Sequence, residues 1–582
     1  MKYKKIIIAS LAFVLFFTSC EDNFFDLNKE PLDIISGSAV FKDKLLADAN
    51  LAQIYHSTQF LIRNLDSPAN EMMDEGMAAV ARGFAYWQAP AWVPLEVIDE
   101  NGVPGVIDYW DYQNIRNANE YIIGMQESEF EPEYVEERVA EARFLRAFMY
   151  FEMVKRYGGV PIITEPQSVD TPPEELNVPR NSEKEVYDFI ATEMDAIADI
   201  LPEESEPGRI NKWGALAMKS RAMLYAASIA NFGQQQLDGL LGFPASEVES
   251  YYQKSYDASM AIISSDKFSL FNAIPDDPAE NFQQLFVVEG GNPERIFVEV
   301  YDPALGKGHS YNLGSVPFEF RDTWGSNHCP FLNVIEEFEY IDGTPGDIDR
   351  DLIESEHLFS KDEIFTNRDP RFIATIFYPE AEWQGGVVRF HRRTVINGET
   401  VDNGTVGDGW PAAAPRRNYV NTGFLVRKLM DEGEVGPLRE TGQTDWMIFR
   451  YGEILLNVAE AAYYLNKPDE AVNYVNMIRE RAGMPTRASV TEEDIRHERF
   501  VELVFENHRY WDLRRWRTAK EFLDGLRVKG LEYTYYYDED KYDLHLKNGD
   551  RSERVFQDRH YYFPLGISRI ADNPNLVENP GY

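Results

Sequence analysis

The sequence predicts a mainly α-helical protein in which two helical regions flank a loop-rich middle. Apolar residues recur at steps of three and four before about residue 265 and again after about residue 445. Between these limits glycine and proline are frequent, the helical period is lost, and short β-branched runs such as 295–300 and 372–377 indicate a few short strands. The predicted organisation is a helical scaffold over about 40–264 and 446–525, a loop-rich region over about 265–445, and a tail over 526–582.

Composition limits the classes of function. The chain has 582 residues with 57 Lys and Arg against 98 Asp and Glu, a formal charge of −41. A hydrophobic share of 44% excludes intrinsic disorder, because it suffices to build a core. The acidic excess argues against nucleic acid as a partner, since it would repel a phosphate backbone.

The N-terminus reads as an export signal with a lipid-attachment site. Three lysines precede an apolar run over 6–17, which is shorter than the roughly 20 residues that span a bilayer and fits a secretory signal. Thr18, Ser19 and Cys20 follow, and this order resembles a bacterial lipobox, in which the cysteine is lipidated and becomes the new N-terminus. We predict a signal peptide over 1–19 and lipidation of Cys20. The alternative is an ordinary signal with an incidental cysteine.

The mature chain is predicted to be anchored through its lipid and not to span the membrane. No later stretch has 18 consecutive apolar residues. Cys329 is the only other cysteine, so an intramolecular disulfide is not expected and the hydrophobic core must supply the stability.

Periodicity and capping signals predict the helices of the first half. Apolar residues share one face over 139–157, and Gly158 ends this helix because glycine accepts the left-handed conformation at a C-terminus. Ser182 and Glu185 form a capping box that begins the next helix. Further amphipathic helices are predicted over 213–229 and 251–263.

Helical order returns after the middle region. Residues 451–484 form one helix–turn–helix unit of 34 residues, broken at 466–468, whose length resembles a tetratricopeptide repeat. Thr491 and Asp494 are predicted to begin another helix.

Common catalytic and metal-binding motifs are mostly absent from the sequence. The sequence contains no HExxH, GxSxG, P-loop or GxGxxG pattern. Asp347, Asp349 and Asp351 alternate as in a calcium loop, but Leu352 and Leu358 occupy the positions of the required glycine and glutamate. A solvated acidic loop is the better interpretation, and no metal, cofactor or catalytic residue is predicted.

The most specific string is residues 497–516, which contains Glu502, Glu506, Arg509 and two tryptophans. Read as one helical segment, its charged residues lie at steps of three and four on one face. These residues could form either a catalytic cluster of charged groups or a network of ion pairs that joins helices, which we call the belt. We favour the belt, because arginine–carboxylate forks tie helices well.

The string ERFVELVFENHRYWDLRRW at 498–516 resembles the signature of the SusD/RagB family of outer-membrane lipoproteins. Further matches occur in family order, and the segment 563–567 departs from the family by lacking a second proline. The matching segments are 110–119, 142–147, 157–161, 342–343, 368–372, 422–424, 450–456 and 579–582.

This resemblance implies four tetratricopeptide-like helix pairs that support a loop-rich, variable face within a single SusD-like domain over 20–582. It implies a glycan-binding protein without catalysis, which captures oligosaccharide and acts as a lid on a SusC-like TonB-dependent outer-membrane transporter. Glu21 and Asp22 resemble the surface-export signal of Bacteroidota lipoproteins, so the expected location is the outer membrane, facing the exterior. The alternatives are a lipid-anchored glycan-processing enzyme and a helical-repeat scaffold that binds protein or peptide.

Aromatic residues in the loop-like segments are predicted to form a carbohydrate-binding platform, because flat rings stack on the apolar faces of sugars. Five tryptophans on helical or signature segments are expected in the core: Trp110, Trp213, Trp446, Trp511 and Trp516. The predicted sugar contacts are Trp87, Trp92 and Trp324, with Tyr86, Trp383 and Trp410 beside them. Each could instead be an ordinarily buried ring.

The only dense cluster of basic residues in the sequence lies within 389–417. Arg389, Arg392, Arg393 and Arg416 are predicted as contacts to an acidic glycan, such as a uronate or sulfated polysaccharide. The alternative is that these arginines pair with the protein's own acids.

Overall fold

A computed structural model describes residues 40–582 except 59, 61–79, 83–97, 104–106, 169, 324, 392, 403–419, 421 and 550–552. Helices dominate, as predicted. The long helices are α1 Lys44–Thr58, α2 Tyr112–Gln126, α3 Pro132–Tyr157, α5 Glu183–Ala198, α6 Lys212–Phe232, α7 Val248–Ile263, α8 Pro278–Val287, α13 Tyr451–Tyr464, α14 Pro468–Arg481 and α15 Glu492–Leu503. The shorter ones are α4 Pro173–Leu176, α9 Tyr311–Ser315, α10 Leu332–Glu336, α11 Arg350–Ile353, α12 Pro370–Thr375, α16 Arg509–Arg515, α17 Ala519–Leu523 and α18 Ile567–Asp572.

Local sequence signals explain where the scaffold helices begin and end. The Ser182–Glu185 and Thr491–Asp494 capping boxes are both present, at the starts of α5 and α15. Helix α3 ends at Gly158, which has a φ of 71° and donates its N–H to Val154 O at 2.9 Å. The helix–turn–helix prediction for 451–484 is confirmed by α13 and α14.

Neighbouring helices pack in pairs and close into one scaffold. Helix α2 packs on α3, α5 on α6, α6 on α7 and α13 on α14. Helix α7 also packs against α13, which joins the N-terminal helices to the C-terminal ones. No helix within the described ranges is long and apolar enough to cross a membrane.

The signature string is not one continuous helix. Helix α15 ends at Leu503, and Phe505 and Asn507 adopt left-handed φ values of 67° and 63° before α16 begins at Arg509. The prediction that Glu506 and Arg509 share a helix face is therefore wrong. The Arg509 guanidinium instead lies 4.1 Å from the ring centre of Phe500.

Strands are short and occur mainly in the loop-rich region. They are β1 Val80–Arg82, β2 Arg295–Glu299, β3 His328–Pro330, β4 Ile376–Phe377, β5 Glu382–Trp383, β6 Gly386–Val387, β7 Arg393–Ile396, β8 Glu399–Asp402, β9 Leu425–Val426, β10 Trp446–Arg450, β11 Lys529–Tyr536 and β12 Lys541–Asn548. The strand predicted over 295–300 is confirmed as β2. Most of the strand predicted over 372–377 is helix α12, because Asp369 caps it and Pro370 occupies its first turn.

The strands of the described residues form five small sheets. The largest has the order β12-β11-β7-β8, with β7 parallel to β11 and the other pairs antiparallel. Four antiparallel pairs accompany it: β1–β3, β2–β10, β4–β9 and β5–β6. Strand β10 runs directly into α13, so the β2–β10 pair joins the loop-rich region to the scaffold.

The tryptophans expected in the core lie there. Trp213, Trp446, Trp511 and Trp516 are buried. Trp110 is half-buried and packs against the core.

Candidate functional site

Strands β1 and β3 are adjacent in sequence to two of the segments predicted to contact a ligand. Their antiparallel register pairs Val80 with Pro330 and Arg82 with His328. The chain that follows Arg82 therefore leaves the ladder at the same end as the chain that precedes His328. Tyr86, Trp87 and Trp92 follow Arg82 in sequence, and Trp324 precedes His328; all four lie outside the described residues.

Buried polar contacts hold this end of the ladder. The Ser315 hydroxyl lies 2.7 Å from His328 Nδ1, and both residues are fully buried. Burial lowers the pKa of His328 to about 3, so the imidazole is neutral at physiological pH. The ring of Tyr311 lies 5.7 Å from that of His328. Helix α9, which carries Tyr311 and Ser315, therefore contacts His328 and holds this end of the ladder in place.

A cleft of about 980 Å³ is linked to the ladder through the side chains of His309 and Tyr311. Its walls are the loop 205–211 before α6, residues 287–292 after α8, β2 with the residues up to Asp302, and residues 443–445 before β10. Two successive glycines, Gly290 and Gly291, expose bare backbone on its wall, with nothing within 4 Å of an added Cβ. A cleft of this size can hold an oligomeric ligand.

A row of rings connects the cleft to the ladder. Tyr301, in the cleft wall, lies 5.1 Å from His309, centre to centre. His309 Nδ1 accepts the Tyr311 N–H at 3.3 Å, and Tyr311 contacts His328 of β3. Tyr301 carries no signal in the sequence, because it is one of 32 tyrosines and no neighbouring motif distinguishes it.

The polar groups of the cleft are tied to its backbone. Arg295 pairs with Asp445, whose Oδ1 also accepts the Tyr301 N–H at 3.0 Å. Glu289 Oε1 accepts the Asp445 N–H at 3.2 Å. Partial burial and then the carboxylate of Asp445 raise the pKa of Glu289 above its ordinary value.

Trp383 does not lie on the surface. It is 1% exposed, and its ring packs edge-on against Phe377 at 5.0 Å with the Arg427 guanidinium 5.4 Å from its centre. The β5–β6 hairpin therefore directs this ring into the core. Its burial contradicts the expectation that Trp383 belongs to a surface platform, whereas Trp410 lies outside the described residues.

The basic residues that the structure describes lie beside acids. The backbone N–H of Arg389 donates to Glu319 Oε1 at 3.0 Å. Burial raises the pKa of Glu380, and the nearby charge of Arg389 opposes that rise. Arg393 Nη1 lies 4.0 Å from Glu532 Oε1. These contacts favour pairing with the protein's own acids; Arg392 and Arg416 lie outside the described residues.

The charged residues of the signature string form a buried structural network. Glu502 contacts Arg371, Arg450 and Arg481, and all four side chains are at most 2% exposed. A group sealed in this way cannot reach a substrate, which supports the belt interpretation over a catalytic cluster. Among the described residues, no group of histidine, cysteine, aspartate or glutamate side chains is arranged to hold a metal ion.

Comparison with known proteins identifies two matching family models. One, described as the SusD family, matches residues 293–582. The other, described as starch-binding associating with outer membrane, matches residues 63–224. The first covers the cleft walls from β2 onward and the buried network, and the second covers most helices of the N-terminal scaffold.

Similar proteins share the fold over almost the whole chain. A SusD-like protein of Formosa agariphila is 23% identical over 100% of both chains. The crystal structure of a SusD-like protein from Bacteroides fragilis superposes with a TM-score of 0.73 at 24% identity, covering 95% of this chain and 100% of that one. A SusD-like carbohydrate-binding protein, also from Bacteroides fragilis, gives a TM-score of 0.68 at 22% identity, covering 92% and 100%. With the matching models and the mainly α-helical fold, these likenesses show that the chain belongs to the SusD/RagB family.

Proposed function

We propose that the protein is a cell-surface lipoprotein that binds oligosaccharides and delivers them to a SusC-like TonB-dependent transporter, for which it acts as a lid. Family membership and the carbohydrate binding of a relative support the ligand class. The description of one matching family as outer-membrane-associated supports the location, and the lipobox-like sequence at Cys20 supports the lipid anchor.

The observation that carries the proposal is the β1–β3 ladder linked to the cleft. Trp87 is five residues from Arg82, and Trp324 is four residues from His328. Each tryptophan is therefore at most five residues along the chain from the same ladder end. Stacking rings and a polar cleft would then share one ligand, the rings contacting C–H faces and the cleft receiving hydroxyl groups.

Binding without turnover is part of the proposal. A protein that hands its ligand to a transporter must release it chemically unchanged. Incubation of the protein with each retained oligosaccharide, followed by mass spectrometry, checks this point. New cleavage products would establish the alternative, a lipid-anchored glycan-processing enzyme.

The test of ligand binding is a glycan array followed by affinity electrophoresis of Trp87→Ala, Trp92→Ala and Trp324→Ala. Each substitution is expected to weaken retention about tenfold, since a stacked ring contributes about 1–2 kcal/mol. Phe522→Ala is the matched control, because this ring is 40% exposed on α17 of the scaffold. Equal retention by all four variants would contradict the proposed platform.

The delivery role has a separate test. Affinity purification of the tagged, full-length protein from detergent-solubilised outer membranes should recover a TonB-dependent transporter, identified by mass spectrometry. A protein that retains glycan but recovers no transporter would be a binding protein without this partner. That result would remove the delivery role and leave the carbohydrate role in place.

A further inference from the structure

The cleft linked to the β1–β3 ladder has an unbalanced charge. Seven ionisable side chains of Asp, Glu and Arg line it, and five of them are carboxylates: Glu206, Glu289, Asp302, Asp431 and Asp445. The two cations are Arg209 and Arg295.

Both cations are already engaged. Arg295 is paired with Asp445 within the cleft. Arg209 Nη2 lies 2.7 Å from Glu141 Oε1, a carboxylate that is 1% exposed and also accepts the hydroxyl of Tyr55 at 2.7 Å. An anionic ligand that recruited Arg295 would compete with the buried Asp445, and one that recruited Arg209 would compete with the buried Glu141, which Arg138 also contacts at 2.9 Å. Loss of either pair is costly.

Three of the four remaining carboxylates accept hydrogen bonds from backbone groups. Asp302 Oδ1 accepts the Ala304 N–H at 2.9 Å, and Asp431 Oδ1 accepts the Gly433 N–H at 2.8 Å. Glu289 is held by the Asp445 N–H. Within the described part of the chain, no ion pair reaches these three residues or Glu206. A carboxylate offers about four acceptor sites, so most of theirs remain available to hydroxyl donors.

From this arrangement we infer that the cleft selects glycans without acidic groups and rejects uronate and sulfated glycans. The inference rests on the proposed function and names the substrate class of that site. A uronate or sulfate in the cleft would lie within about 8 Å, the Debye length at physiological ionic strength, of several like charges. A neutral sugar meets no such repulsion, and its hydroxyl groups supply the donors that the carboxylates need.

Of the other described cations, Lys307 lies 4.9 Å from the ring centre of Tyr301 in the cleft wall and pairs with Glu299 at 2.9 Å. Arg389 lies beside Glu319 and Glu380, and Arg393 lies 4.0 Å from Glu532. Their charges are therefore matched by the protein's own acids.

The test is an array of neutral, amino-bearing, uronate and sulfated glycans, probed with the full mature protein at low and high salt. Neutral or amino-bearing glycans should be retained at least tenfold better than acidic ones at low salt. The double variant Glu289→Gln/Asp431→Asn should reduce this preference several-fold, because the retention of acidic glycans should rise when two like charges are removed. Glu120→Gln is the matched control, because Glu120 is an exposed acid on α2, paired only with Arg116.

The outcomes separate the inference from the proposed function. Retention of uronate or sulfated glycans as strongly as neutral ones would overturn the inference while leaving a glycan-binding protein. A preference that the double variant leaves unchanged would also overturn it, since the cleft carboxylates would not be its cause. Retention of no glycan of any class would overturn the proposed function together with the inference.

Discussion

Arg450, the last residue of β10, donates through Nη1 to Glu502 Oε1 of α15 at 2.8 Å, and neither side chain is more than 2% exposed. The same Nη1 lies 3.1 Å from Glu294 Oε2, and the Arg450 Nε donates to Glu506 Oε2 at 2.6 Å. One guanidinium thus ties the segment before β2, the start of α13 and the end of α15 together.

Glu502 is the centre of this network. It also contacts Arg481 of α14 at 2.5 Å and Arg371 of α12 at 3.0 Å. Burial alone would raise the pKa of Glu502, but Arg481, Arg450 and Arg371 outweigh it and hold the pKa well below its ordinary value. The carboxylate is therefore charged throughout the physiological range.

Neutralising this carboxylate should destabilise the protein. Glu502→Gln leaves three buried guanidinium groups with too few carboxylates, and we expect the free energy of unfolding to fall by about 3–5 kcal/mol. Chemical denaturation followed by tryptophan fluorescence measures this change. The control Glu120→Gln removes an exposed pair with Arg116 and should cost less than about 0.5 kcal/mol. Equal costs for the two variants would show that the network contributes no more than a surface pair.

Lys428 predicts a pH dependence in the alkaline range. It follows β9, is 1% exposed, and lies 2.7 Å from Glu506 with the rings of Phe282 and Phe286 each 5.0 Å away. Burial lowers the pKa of Lys428 to about 8 from its ordinary 10.5, although Glu506 opposes this shift. Between these pH values the unfolded chain binds more protons than the folded one, so this group makes stability rise with pH.

The Lys428→Met variant isolates this effect, because methionine fills the same space without a charge. Between pH 8 and 9.5 the wild-type protein should gain about 1–2 kcal/mol in unfolding free energy relative to the variant. Comparing the two proteins at each pH cancels the contribution of the tyrosines. Parallel curves over this range would contradict a lowered pKa for Lys428.

Local features of the fold were predictable from the sequence, because their causes lie within one turn of helix. The two capping boxes, the glycine end of α3 and the α13–α14 unit all depend on residues within a few positions. The end of α15 was not predictable from the sequence, since phenylalanine does not favour the left-handed conformation that Phe505 adopts. Contacts with the surrounding network hold it there, and these contacts come from other parts of the chain.

The candidate site was predictable only as a set of residue types. Tryptophans in loop-like segments can be selected from the sequence, but the inward orientation of Trp383 cannot, because the ring's partners Phe377 of β4 and Arg427, which follows β9, are distant from each other in sequence. Nor is the pairing of Arg82 with His328 predictable, since it joins positions far apart in sequence. Long-range register has no local signal in a three-residue strand.

Lipidation of Cys20 predicts a change of location. In Cys20→Ala the exported chain lacks its acyl chains, each of which contributes about 0.8 kcal/mol per buried CH₂ to membrane binding. We expect the variant to leave the outer-membrane fraction, as measured by fractionation and immunoblotting. Cys329→Ala is the control, because Cys329 is a buried core residue. Retention of Cys20→Ala in the membrane would contradict a lipid anchor at this residue.

Substitutions of Trp383 and Trp87 distinguish a structural ring from a ligand-binding one. Because its side chain is 1% exposed, Trp383→Ala should leave a cavity and lower the unfolding free energy by about 3–5 kcal/mol. Its indole N–H has no hydrogen-bond partner among the described residues, so Trp383→Phe loses only packing and should cost clearly less. Trp87→Ala should show the opposite pattern, with stability close to wild type and weakened glycan retention. A Trp383→Ala variant that folds with wild-type stability but no longer retains glycan would show that this ring reaches the ligand after all.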